Sequence, residues 1–190
     1  MALLESEVDG ERLTEADILA FCFLLIVAGN ETTRNGISGG LLALCEHPAE
    51  KKKLIDDISL IDTAVEEILR WSSPVMHMAR EATEEVEIRG QKISAGDRVI
   101  MWYPSANRDE DIFEDPYRFD IRRTPNEHIA FGIGEHFCLG SGFARKEIRL
   151  MFEELFRRFP GIELDGEAER LRSNFIGGIK HLPVRFTPER

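Results

Sequence analysis

The chain has 190 residues, 43% of them hydrophobic and 31% charged, with a formal net charge of −11. This is the composition of an ordinary globular protein with one sizeable core, and it excludes a low-complexity or fibrous chain. The acidic balance argues against a nucleic-acid partner and leaves small molecules or locally basic docking faces as the expected partners.

The opening stretch, MALLESEVDGERLTEAD, carries acidic residues where a secretory signal has a basic start and an apolar centre. Thr14 with Asp17 forms a capping pattern that predicts a helix from there to about Cys45. Glu-His-Pro at 46–48 ends it, because Pro48 pushes its predecessor out of the helical region. The run ILAFCFLLIVAG is about 12 residues, short of the roughly 20 that cross a bilayer, so a buried helix and no membrane span are expected. A helix apolar all round over 18–28 belongs at the centre of a protein, yet GNETTRN follows at once, the wrong chemistry for a core. Next come a short solvated helix in AEKKKLIDD and a longer one in LIDTAVEEILRWSSP, with Asp62 as N-cap candidate and Pro74 past its end.

From Val86 the period changes. VEIRGQKI alternates around Arg-Gly and predicts a hairpin; SAGD is a turn and RVIMWY a further strand. The segment from Ser105 to His128 has little periodicity and many turn formers, and such long stretches are functional or pinned by specific contacts. SGFARKEIRLMFEELFRRFPG is amphipathic, with Phe143, Ile148, Met151, Phe152, Leu155 and Phe159 near one face and Gly161 as a stop. The tail suggests short strands and turns. The fold class is therefore mainly α with a small β portion, residues 1–190 being expected to form a single partial domain.

Three cysteines at wide spacings are no disulfide framework and favour a reducing, cytoplasmic setting. Cys22 and Cys45 read as apolar fillers of the long helix. Cys138 differs: it lies in GEHFCLG, between glycines, with a helix predicted to begin near Leu139 or Gly140. The free amides and positive end of that helix point at the sulfur and favour the thiolate, the form that binds metal. Gly132, Gly134 and Gly140 allow backbone geometries closed to other residues and let a large flat group approach. A buried structural cysteine, a zinc site with His128 and His136, and a nucleophile needing a histidine base are the competing readings.

Further motifs decide between them. FGIGEHFCLG resembles the haem-binding loop of the cytochrome P450 superfamily, the haem-thiolate monooxygenases. AGNETT at 28–33 is similar to the family's oxygen-activation motif, EEILR holds its Glu-x-x-Arg pair as Glu67 and Arg70, and DPYRF resembles its Pro-x-Arg-Phe segment with Arg118. The resemblance implies the C-terminal half of the P450 fold, haem b (iron protoporphyrin IX), and Cys138 as axial ligand to the haem iron. It implies that Phe131, Gly132 and Gly140 shape the haem loop, and that Arg80 and His136 meet the haem propionates. Glu31 and Thr32 then form the catalytic pair, Thr32 hydrogen-bonding dioxygen or its water and Glu31 relaying protons. Glu67, Arg70 and Arg118 become a buried structural triad.

The resemblance further implies a substrate pocket lined by Ala28, Gly29, Val75 and Met76, suited with Met78 to a lipid, sterol or terpenoid-like molecule. Electrons would come from a ferredoxin-type donor, for which Arg145, Lys146 and Arg149 offer a basic face. Family members are much longer, and this chain resembles only about their second half. The expected function is thus the haem-binding portion of a monooxygenase, the alternative a non-catalytic fragment that keeps the motifs without stably holding haem.

Overall fold

A computed structural model describes residues 2–8 and 10–187. It opens with a short helix α1 (Ala2–Glu5) and a two-stranded pair β1 (Glu7–Val8) and β2 (Glu11–Arg12). The long helix α2 (Glu15–Glu46) follows, then α3 (Pro48–Asp56), a 3-10 turn (Ile58–Leu60) and α4 (Ile61–Ser72). Strands β3 (His77–Glu81), β4 (Val86–Ile88), β5 (Gln91–Ile93) and β6 (Arg98–Trp102) lead into a short helix α5 (Tyr103–Ala106). After the irregular segment and a 3-10 turn at Gly134–His136 comes α6 (Ser141–Arg158), and the tail forms β7 (Glu163–Leu164), β8 (Glu169–Arg170), β9 (Ile179–His181) and β10 (Val184–Arg185). The mainly helical class with small sheets is as the sequence implies.

Local chemistry sets several boundaries. Thr14 and Asp17 close a reciprocal capping box at the start of α2: the Asp17 amide donates to Thr14 Oγ1 at 3.2 Å and the Thr14 amide to Asp17 Oδ2 at 3.0 Å. The hairpin β4–β5 turns on Arg89 and Gly90, both at positive φ (49° and 80°), the turn that matches strand twist. Asp62 is not an N-cap, for it lies in the first turn of α4 with Leu60 at the cap, while Asp57 caps the preceding 3-10 turn through the Ser59 amide.

The strand expected after SAGD does not extend that hairpin. β6 pairs antiparallel with β3, placing His77 opposite Trp102 and Arg80 opposite Val99. Arg80 therefore lies within a strand that precedes the hairpin expected from Val86 onward. The pairing joins segments about 20 residues apart, so no local pattern announces it.

Core packing rests on close helix approach. A Cβ on Gly40 would stand 2.6 Å from Ile68 Cγ2 and 3.0 Å from Phe152 Cζ, and one on Gly36 3.3 Å from Ile148 Cδ1. These glycines let α2 press against α4 and α6. The steps Gly36–Ile148 and Gly40–Phe152 advance four residues on each helix, so α2 and α6 run in the same sense. Gly29–Thr32 consequently lies toward the cysteine-loop end of α6. Ile148, Phe152 and Phe156 form the buried face of α6, four residues apart, whereas Phe143 and Met151 are exposed, against expectation.

The first part of α2 is different. Leu19, Phe23, Leu24 and Ile26 are each more than half exposed, and Cys22 is exposed rather than a filler. Cys45 is half-buried, and burial pushes its thiol up. By length and composition α2 also qualifies as a bilayer-crossing helix, with a mean hydropathy of 1.4 over its most apolar 18 residues, more than its 12-residue apolar run suggests.

Candidate haem-thiolate site

Glu67 and Arg70 lie on one face of α4, three residues apart and fully buried. Their pairing is bidentate: Arg70 Nε donates to Glu67 Oε2 at 2.7 Å and Nη2 to Oε1 at 2.8 Å. The remaining Arg70 donors reach the carbonyls of Asn107 (2.8 Å), Pro116 (2.9 Å) and Arg118 (3.2 Å). A buried charge pair is tolerable only when every donor and acceptor is used in this way. The result pins the irregular segment from 107 to 120 to α4.

The third arginine is not the expected one. Arg118 turns its side chain outward to Asp120, 60% exposed, and supplies only its carbonyl. Arg123 reaches Glu67 instead, Nε to Oε2 at 3.2 Å, with the Asn126 amide beside it at 3.1 Å. DPYRFDIRR holds three arginines within six residues, and only the turn at Asp120–Arg123 decides which points inward. Asn107, which belongs to none of the sequence motifs, is also buried: it donates to Ser73 Oγ at 2.9 Å and accepts from the Ile129 amide at 2.8 Å. It thereby ties the end of α4 to the approach of the cysteine loop.

In that loop the Cys138 amide donates to the Phe131 carbonyl at 2.9 Å, and Gly140 is the N-cap of α6. Gly132 and Gly134 adopt φ of +72° and +75°, the left-handed region that glycine enters without strain. Cys138 is half-buried and free of any disulfide. His136 is exposed and has no partner among the described residues; Arg80 is exposed and donates only to the carbonyl of Ala79. His128 is committed elsewhere, to Glu66 at 3.0 Å, and among the described residues no three His, Cys, Asp or Glu side chains gather as metal ligands. A zinc site with His128 is therefore not formed.

On α2, Thr32 Oγ1 donates to the Ala28 carbonyl at 2.6 Å, the back-bond by which a threonine can open a helix locally. Glu31 is paired with Arg34. Ala28 and Gly29 are exposed, and a Cβ on Gly29 would meet nothing within 4 Å. Val75 and Met76 are half-buried and strapped to the tail: Val75 bridges Ile176 and the Met76 amide donates to the Phe175 carbonyl at 2.8 Å. Phe175 and Ile176 thus lie beside Val75 and Met76, two of the residues the resemblance assigns to a substrate pocket with Ala28 and Gly29. Arg145 and Arg149 are neutralised by Glu66, Asp62 and Glu153, so the expected basic face of α6 keeps only Lys146 unpaired among its three cations.

These residues fit an iron porphyrin. Cys138 offers a soft, uncommitted sulfur donor. Around it Ile133, Phe137, Leu139 and Phe143 are 51–83% exposed, an apolar collar with open space beside it. Cβ atoms on Gly134 and Gly140 would touch nothing within 4 Å. Arg80 and His136 remain available for carboxylates.

Comparison with known proteins agrees with the motifs. The Cytochrome P450 family model matches residues 1–61 and 52–180. The chain is 53% identical over 188 residues to a methyl-branched lipid omega-hydroxylase of Mycobacterium bovis, covering 98% of this chain and 44% of that protein. It is 43% identical to a steroid C26-monooxygenase of Mycolicibacterium smegmatis, covering 98% of this chain and 47% of the relative. A crystal structure of CYP109E1 from Bacillus megaterium in complex with testosterone superposes with a TM-score of 0.92 at 42% identity, covering 96% of this chain and 51% of that one. The chain spans about half the length of the relatives it matches.

Proposed function

The chain belongs to the cytochrome P450 family, and we propose that its 190 residues are the haem-thiolate portion of a monooxygenase that places one atom of O2 on an apolar organic substrate. The observation that carries this reading is the loop at Cys138: a free sulfur donor at the head of a helix, in an open apolar collar. Haem b held by a thiolate supplies dioxygen activation and oxygen transfer to a C–H bond. The protein's own residues do the rest. Cys138 ligates iron, Phe131, Gly132 and Gly140 shape the ring's seat, and Arg80 and His136 meet its propionates. Thr32 Oγ1, bonded to the Ala28 carbonyl, would be the hydroxyl that presents a proton on the substrate side. Glu31, paired with Arg34, would be the acid that passes protons toward Thr32.

Ala28, Gly29, Val75 and Met76, joined by Ile176, line the substrate side. Lipid and steroid names among the relatives support a substrate of that class. A ferredoxin-type donor, for which Lys146 is the cation left unpaired on that face of α6, and a cytoplasmic location, favoured by the free cysteines, belong to the same reading. A bilayer role for α2 fits less well: Glu31 and Arg34 pair near its middle, and from Thr33 onward it is buried against α4 and α6. The second reading is a non-catalytic chain that does not stably hold haem, favoured by the uncovered face from Leu19 to Val27.

A reduced, CO-bound absorption spectrum of the haem-supplied chain separates the two readings. A thiolate-type Soret band that disappears in Cys138→Ser is expected. Its absence from the wild type would sink the monooxygenase reading for this chain, and its persistence in Cys138→Ser would remove Cys138 as ligand.

A further inference from the structure

Glu66 and Glu67 are neighbours on α4 with separate partners. Glu67 enters the buried arginine network; Glu66 faces α6 and receives the fork of Arg145, Nε to Oε1 at 2.7 Å and Nη2 to Oε2 at 3.0 Å. The same carboxylate is bonded by His128. Because His128 Nδ1 accepts from the Ala130 amide at 3.2 Å, its Nε2 carries the hydrogen and donates to Glu66 Oε2 at 3.0 Å. One acid thus gathers a residue of α6 and a residue of the segment entering the cysteine loop.

Phe131 meets both, its ring centre 6.2 Å from that of His128. The Arg145 guanidinium carbon stands 4.5 Å from the centre of its ring, over the aromatic face, while the same guanidinium is forked to Glu66. The Phe131 ring meets Phe137 at 6.4 Å, and the Phe131 carbonyl accepts the Cys138 amide at 2.9 Å. The chain of contacts runs from Glu66 through Arg145 and Phe131 to the backbone of Cys138. We propose that Glu66 is a positioning residue for the cysteine loop, acting by clamping Arg145 onto Phe131. The assignment of Cys138 as haem ligand gives the clamp its purpose, and the proposal rests on that reading.

The test is amide hydrogen exchange on the haem-free chain, comparing Cys138 with the core amides of Ile148 and Phe152. Glu66→Gln removes the charge that holds the fork. Arg145→Lys keeps an ion pair but loses the planar face. In both, exchange at Cys138 is expected to rise on the order of tenfold beyond any change at the core, since a local opening is released rather than the whole fold. Should Glu66→Gln fail to fold, Arg145→Lys decides alone. Exchange at Cys138 that merely tracks the core amides overturns the proposal. Because no haem is present, a missing thiolate spectrum would sink the ligand reading without touching this result.

Discussion

Arg123 donates from Nε to Glu67 Oε2 across 3.2 Å, deep in the network where the motif pointed to Arg118. Its guanidinium also reaches the carbonyls of Glu114, Asp115 and Arg118, so one side chain closes the irregular segment on itself and onto α4. The side chain is only 10% exposed; its bond to Glu67 is part-buried, while those to the three carbonyls lie nearer the surface.

Arg123→Ala is expected to lower the unfolding free energy by about 2–3 kcal/mol, because Glu67 and three carbonyls lose a buried charged donor. Arg118→Ala should cost less than about 1 kcal/mol, as its pair with Asp120 is an exposed one. Urea denaturation of the two variants measures the difference. A reversed order would restore Arg118 to the triad.

Glycines of α2 divide by what surrounds them. Gly40→Ala forces a methyl against Ile68 and Phe152 and should destabilise by about 1–3 kcal/mol. Gly29→Ala meets nothing within 4 Å and should stabilise the haem-free chain by up to about 1 kcal/mol through helix propensity. It should also weaken haem uptake, since the added methyl occupies the wall left open. Thermal melts and haem titrations check the pair; uptake unchanged in Gly29→Ala would place the haem elsewhere.

Glu66 makes stability depend on pH. Burial pushes its carboxyl up, but the hydrogen bonds from His128 and Arg145 and the charge of Arg145 outweigh that and hold it down to about 2, from an ordinary 4.5. A folded-state value below the unfolded one contributes stability above about pH 4.5, lost as pH falls toward 2. The shift corresponds to at most about 3 kcal/mol. The stability difference between wild type and Glu66→Gln should therefore be largest at neutral pH and shrink between pH 4.5 and 2, as followed by denaturation at several pH values. A gap constant across that range would mean that Glu66 acts without its charge.

Much of this was legible along the chain. The capping box of α2, the Arg-Gly turn of the hairpin and the glycines of the cysteine loop are local, because their geometry is set by residues within a few positions. The Glu67–Arg70 pair is local too, one helical turn in extent. Other features were not legible for the converse reason. The β3–β6 pairing, the inward turn of Arg123 and the strap from Phe175–Ile176 to Val75–Met76 join segments far apart in sequence. The face of α6 that is buried was misjudged at Phe143 and Met151, since amphipathic spacing leaves a stripe whose edges are chosen by the helices it meets.

By itself the sequence determined the family, the helical class and the presence of a cysteine loop heading a helix, because motif chemistry and short-range backbone rules are written in consecutive residues. Only the tertiary structure decided which arginine completes the Glu67 network, that Glu66 joins Arg145 and His128, and that Asn107 ties α4 to the loop. Those choices depend on which buried donors and acceptors can reach one another across the fold, and burial makes an unpaired charge or backbone group costly.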